Sequence, residues 1–179
     1  MKTEFSVFGK LFDDNPILNK KNYNVSSVLL NVIYNFFSDL IDKNIKLKYE
    51  ECQYEAFFDY EAIQVAFFHM IDNTVKYIKE NTVLDIRFED YINQVDIVFS
   101  MESLKIDEDE TNKIFLEGFS GKQAKEQGKS GKGIGMSRVK QILELNHGEI
   151  RLKSSLLPDT SIYSTNIFTI SLKKENYFI

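Results

Sequence analysis

From Ser26 onward, apolar residues return every third or fourth position: Val28, Val32, Phe36 and Leu40, flanked by Leu29, Ile33, Phe37 and Ile41. That spacing predicts a helix with a broad apolar face, capped at its start by Ser26 or Ser27. The period then falls to two, with Ile45, Leu47 and Tyr49 alternating with Lys46 and Lys48, as in a half-buried strand. Asp59 suits the N-cap of a second helix that reaches about Ile78. Alternation returns at 83–88 and 95–99, and the joining Asp90-Tyr91-Ile92-Asn93 predicts an antiparallel hairpin. Asp107-Glu108-Asp109-Glu110 places acids at the positive end of a short helix through Phe115. A further helix turns Ile134, Val139, Ile142 and Leu143 inward. Strands at 149–154 and 166–172 follow, separated by Leu156-Leu157-Pro158-Asp159-Thr160.

The order helix, strand, helix, hairpin, glycine-rich loop, helix, hairpin predicts an α/β (α+β) two-layer sandwich. Its helices pack on one face of a mixed, mainly antiparallel sheet. Residues 1–24 form a lead-in segment without an assigned element, and 25–179 form one domain. A chain of 179 residues suffices for one core, and a 43% hydrophobic content with 15 Phe and 9 Tyr excludes a disordered chain. The net charge of −5 gives no general attraction to nucleic acid or anionic membrane. Cys52 is the only cysteine, which excludes an intrachain disulfide and a thiolate metal cluster and fits a reducing compartment. The first sixteen residues lack the apolar core of a signal peptide. The most apolar window, 28–37, is interrupted by Asn31 and Asn35 and is too short to span a bilayer. The expectation is a cytoplasmic chain that makes no membrane contact of its own and binds no nucleic acid.

Two segments carry candidate chemistry. Gly131-Lys132-Gly133-Ile134-Gly135-Met136 places three glycines at alternate positions before a helix, where main-chain N–H groups and the helix dipole favour a phosphate. Upstream, His69-Met70-Ile71-Asp72-Asn73-Thr74-Val75-Lys76-Tyr77 puts His69, Asn73, Lys76 and Tyr77 on one helical face. Gly128-Lys129-Ser130 is not a Walker loop, since position 123 is Gln rather than the required glycine.

These segments resemble the N box (N-x-x-x-N-A-x-K and an aromatic) and the second glycine box of the histidine-kinase, gyrase, chaperone and mismatch-repair ATPase superfamily, in its histidine-kinase branch. Ile114-Phe115-Leu116-Glu117-Gly118-Phe119 looks like the branch's phenylalanine box, and Asn146-His147-Gly148-Glu149-Ile150 like the turn and strand after the glycine-box helix. The resemblance covers about residues 25–172 and implies a Bergerat-type ATP-binding fold with ATP and magnesium as cofactors. It implies that Asn73 coordinates the magnesium through its amide oxygen, that Lys76 meets a phosphate, and that the Tyr77 ring lines the cleft. Gly131, Lys132, Gly133, Ile134 and Gly135 would surround the phosphates. His69 stands where relatives carry Asn or a water-activating Glu, so it is either a general base or a hydrogen-bonding residue of the cleft. His147 is expected in a helix-terminating turn.

The first glycine box departs from the family pattern D-x-G-x-G. Met101 stands for the aspartate that reads adenine, and Ser103 and Lys105 stand for the glycines, with Glu102 one residue away as a substitute acceptor. Losing a buried polar partner costs on the order of 1–3 kcal/mol, so adenine binding should be weak, rearranged or absent. Residues 117–130 are rich in glycine and lysine and read either as a lid over phosphates or as a plain solvated loop. The resemblance implies phosphoryl transfer to a histidine on another segment or protein, with homodimerisation as a further expectation. The alternatives are a non-catalytic nucleotide-sensing or partner-binding module, and a hydrolase in which nucleotide gates dimerisation.

Overall fold

Asn24, rather than Ser26 or Ser27, caps the first helix: its Oδ1 accepts the Ser27 N–H at 2.7 Å. In the computed structural model, which describes Gly9, residues 17–155 and residues 161–175, this helix is α1 (Val25–Ile33). The predicted single helix is broken by a 3-10 turn at Tyr34–Phe36 before α2 (Phe37–Asp42). Asn35 supplies a physical cause, since its Nδ2 donates to the Asn31 and Val32 carbonyls at 3.1 and 3.0 Å and competes with the helical ladder. The apolar stripe survives as far as buried Leu40, but the altered phase leaves Phe37 and Ile41 exposed.

Among the described residues seven strands run in chain order: β1 (Lys20–Asn24), β2 (Lys46–Tyr49), β3 (Glu55–Asp59), β4 (Val83–Asp90), β5 (Gln94–Leu104), β6 (Glu149–Ser155) and β7 (Tyr163–Lys173). Five form the main sheet in the order β2-β4-β5-β7-β6, with β2 parallel to β4 and every other pair antiparallel. The expected mixed, mainly antiparallel sheet with helices on one face is therefore present. A two-stranded β1–β3 sheet was not predicted; β1 takes its residues from the end of the unassigned lead-in. Residues 1–8 and 10–16, and the turn expected at 156–160, lie outside the described residues.

Strand alternation sorts the sheet's two faces. Inward, Tyr49, Ile86, Phe99, Phe168 and Leu152 lie abreast, and the neighbouring row is Leu47, Leu84, Met101, Asn166 and Ser154. Outward, Asp85 pairs with Lys48 and Asp96 with Arg151, at 3.6 and 3.4 Å. The helices α3 (Tyr60–Tyr77) and α5 (Gly135–Leu145) cover the inner face.

A buried polar clamp fixes these two helices to each other. Asp59 caps α3 as expected, its Oδ1 accepting the Ala62 N–H at 3.0 Å and its Oδ2 the Asn19 N–H at 2.9 Å. Its own N–H donates to Oδ1 of Asn146 at 2.9 Å, and Asn146 Nδ2 donates to the Ile142 carbonyl at 2.9 Å. Asn146 thus closes the end of α5 and holds the start of α3. The expected turn follows: His147 adopts φ +60°, and the His147 and Gly148 N–H groups donate to the Glu144 and Leu143 carbonyls at 3.0 and 2.8 Å. A Cβ on Gly148 would lie 2.7 Å from the Ser171 carbonyl oxygen, so only glycine lets the chain pass β7 there.

Asn146→Ala strands the buried Asp59 N–H and should cost about 2–3 kcal/mol, seen as a melting temperature about 5–10 °C lower. Lys140→Ala, which removes an exposed pair with Glu144 on the same helix, should change stability by less than about 0.5 kcal/mol. Equal melting temperatures for the two variants would count against the clamp.

Candidate functional site

Helix α3 has two faces with different tasks. Ile63, Ala66, Phe67, Met70 and Ile71 are buried in the core, and the opposite side carries His69, Asn73, Lys76 and Tyr77 into a cavity of about 350 Å³. The residues that the resemblance brings to the nucleotide, together with His69, line this one cavity: His69, Asn73, Lys76, Tyr77, Met101, Ser103, Gly131, Lys132, Gly133, Ile134 and Gly135. His147, at the far end of α5, does not. The Lys76 ammonium lies 5.1 Å from the Tyr77 ring centroid and packs on Gly131, where an added Cβ would stand 2.8 Å from it. The Tyr77 hydroxyl donates to the Lys129 carbonyl at 3.3 Å and so ties α3 to the 117–130 segment.

The first-glycine-box alignment meets a strand rather than a loop. β5 runs on to Leu104, with Met101 and Ser103 buried and facing the cavity. Strand alternation turns Glu102 to the other side, where its carboxylate receives Lys79 Nζ at 2.5 Å. Glu102 therefore does not replace the missing aspartate. Behind Ser103 lies a polar group that sequence reading missed, Asn166, which is 0% exposed. Its Nδ2 donates to Ser103 Oγ at 2.8 Å and to the Leu104 carbonyl at 3.0 Å, and its Oδ1 accepts from Ser164 Oγ at 3.1 Å. Since a carbonyl can only accept, Leu104 fixes which way the amide points. The Lys105 ammonium is drawn to Asp107 at 3.4 Å.

At the opposite wall the glycine loop meets the 117–130 segment. Gly133 has φ +69°, and a Cβ there would stand 2.5 Å from Gly118 C and Phe119 O; the Gly118 N–H donates to the Gly133 carbonyl at 3.0 Å. A backbone crossing thus requires glycine at this position, which also lines the cavity. Gly135 opens α5 with free space where a Cβ would stand. Ile134, expected in the core, is 38% exposed and lines the cavity, because the helix starts only after it.

The region 117–130 contains a short helix, α4 (Lys122–Glu126). The expected helix through Phe115 is instead two 3-10 turns, Glu108–Glu110 and Lys113–Phe115. Glu110, 7% exposed, joins these parts: Oε1 accepts the Lys122 N–H at 2.8 Å, and Oε2 the Asp107 N–H at 3.3 Å in a capping box. The D-x-x-E spacing was visible in the sequence, but its reach to residue 122 was not.

A family model described as histidine kinase-, DNA gyrase B- and HSP90-like ATPase matches residues 58–176. The signal transduction histidine-protein kinase ArlS of Staphylococcus aureus (strain USA300) is 27% identical over 128 residues, 72% of this chain. That alignment takes in 26% of ArlS, so the chain spans about a quarter of the length of the curated relatives it matches. The catalytic domain of histidine kinase ThkA superposes with a TM-score of 0.70 at 19% identity, over 88% of this chain and 99% of that one. For the mycobacterial sensor histidine kinase MprB the TM-score is 0.71 at 16% identity, over 86% and 96%. For histidine kinase ThkA in complex with response regulator protein TrrA the TM-score is 0.72 at 19% identity, over 97% and 47%. The shared fold, with a family model that matches more than half of the sequence, shows that the chain belongs to the histidine kinase-, DNA gyrase B- and HSP90-like ATPase family.

Proposed function

We propose that the cleft binds Mg-ATP and presents its terminal phosphate for transfer to a histidine carried by another segment or another protein. The observation that supports this most directly is the meeting of Asn73, Lys76 and the 131–135 glycine loop around one cavity. Asn73 would hold the magnesium through its amide oxygen, and the ion would supply neutralisation of the charge that builds during transfer. The donor set suits an ion that arrives with its nucleotide: Asn73 offers one hard oxygen, and no cluster of three or more acidic, His or Cys side chains able to hold a metal occurs among the described residues. Lys76 has no carboxylate partner among those residues, which leaves its charge for a phosphate. The N–H groups at the start of α5 add a field that favours the same anion.

Catalysis of this kind is positioning and electrostatics, so the lid matters as much as the charges. Glu110 holds the start of α4, and Gly133 carries the lid backbone across the glycine loop. His69 faces the cleft one turn before Asn73 and serves here as a cleft residue; a water-activating role belongs to the hydrolase reading. The acceptor lies elsewhere, because His69 is inside the cleft and His147 sits in a left-handed turn. By analogy with the ThkA complex, a response regulator is a fitting downstream partner. A second reading, nucleotide sensing without transfer, draws support from Met101, which leaves the base without the aspartate of the family pattern.

Asn73→Ala should weaken Mg-ATP binding at least tenfold in calorimetry while metal-free ATP binding changes little, because the lost oxygen matters only with the ion present. Equal losses with and without magnesium would remove Asn73 from the metal site.

Glu110→Ala should free α4, with faster tryptic cleavage after Lys122, Lys125 and Lys129 and several-fold weaker nucleotide binding. An unchanged cleavage pattern would mean that Glu110 does not hold the lid.

Incubated alone with radiolabelled ATP, the chain should gain no acid-labile phosphohistidine. Stable label on His69 or His147 would overturn transfer to an outside acceptor, and steady phosphate release would favour the hydrolase.

A further inference from the structure

Thr74 is 1% exposed, lines the cavity, and its Oγ1 has no hydrogen-bond partner. A threonine hydroxyl within a helix ordinarily donates to a carbonyl one turn back. This one does not, although α3 is regular around it and the Thr74 carbonyl accepts the Ile78 N–H at 2.9 Å. Buried hydroxyls in folded proteins nearly always find partners, so one left open beside a cavity points to a ligand atom.

A second hydroxyl stands at the same corner. Ile78, one turn beyond Thr74, forms a backbone bridge with Ser103, so the end of α3 and the end of β5 meet where both side chains line the cavity. Ser103 Oγ already accepts from Asn166 Nδ2, in an orientation fixed by the Leu104 carbonyl. That leaves the Ser103 proton to be donated. Beside the pair, Met101, Ile106, Ile114 and Phe168 give the cavity an apolar lining suited to a flat ring.

Resting on the nucleotide-binding reading above, we propose that Thr74 and Ser103 together read the polar edge of a purine base, in place of a carboxylate. A carboxylate only accepts, so it favours a 6-amino group and repels a 6-oxo group. A hydroxyl donates or accepts, and a pair of them satisfies either edge. The substrate class is therefore purine nucleoside triphosphates in general, ATP and GTP alike.

Calorimetric titrations with Mg-ATP, Mg-GTP and inorganic tripolyphosphate on the wild type, Thr74→Val, Thr74→Ser and Ser103→Ala test this. The wild type should bind ATP and GTP within about threefold of each other. Thr74→Val and Ser103→Ala should each weaken both nucleotides by about three- to tenfold and leave tripolyphosphate unchanged, as expected for one hydrogen bond to the base. Thr74→Ser should restore wild-type affinity. Thr74→Val is isosteric and removes an unsatisfied group, so its melting temperature should not fall, which separates a lost contact from damage to the fold. Unchanged nucleotide affinity in both hydroxyl-free variants, or a wild type that rejects GTP by more than about thirtyfold, overturns the proposal alone. A wild type that binds neither ATP nor tripolyphosphate overturns the reading of the cleft, and the proposal with it.

Discussion

The burial of one face of α3 is the constraint on which the rest depends. Ile63, Ala66, Phe67, Met70 and Ile71 have to leave water, and the sheet's inner face is where they go. At 3.6 residues per turn, that choice fixes the direction of His69, Asn73, Lys76 and Tyr77 without further instruction. Core and cleft are two sides of one helix. A site built this way inherits the rigidity of the core, which suits chemistry that works by placing charges rather than by forming bonds to the protein.

Rigidity of α3 alone would not build a cleft, because the glycine loop arrives from another part of the chain. The Asp59–Asn146 contact links the start of α3 to the end of α5 inside the protein. Gly148 then lets the chain turn tightly against β7. At the other end of α5, Gly133 admits the backbone of Gly118 and Phe119 to within a distance that any side chain would forbid. The same helix is thus anchored at one end by a buried amide and opened at the other by missing side chains. Stability and access are separated along its length.

The inner face of the sheet changes character toward the cleft. The row through Phe99 and Phe168 is wholly apolar or aromatic, the next mixes Met101 with Asn166 and Ser154, and beyond it Ser103 pairs with Ser164. Buried polar groups there are satisfied mostly by one another: Asn166 bonds Ser103, Leu104 and Ser164. Where the family pattern has an aspartate and glycines, this chain has a continuous strand with a small polar network behind it. The end of the cavity at Met101 and Ser103 is therefore a product of sheet pairing rather than of a flexible loop.

The sequence by itself determined the elements whose hydrophobic period is regular, and the residues that the periodic helix α3 carries to one side. Asp59 as cap, the end of that helix at Ile78, the hairpin and the His147-Gly148 turn all rest on local chemistry, within a turn of the residue concerned. The glycines of 131–135 line the cavity together with that helix. Only the tertiary structure decided what depends on partners distant along the chain. The β1–β3 pairing joins two short segments with no strong period of their own. The extension of β5 through Met101 and Ser103 is set by hydrogen bonds to β7, some sixty residues away. Glu102 turns from the cavity because pairing fixes the strand's phase, and the reach of Glu110 to Lys122 depends on a loop closing back upon it. Local period is written in neighbouring side chains; register and loop closure are settled only when separate segments compete for the same buried hydrogen bonds.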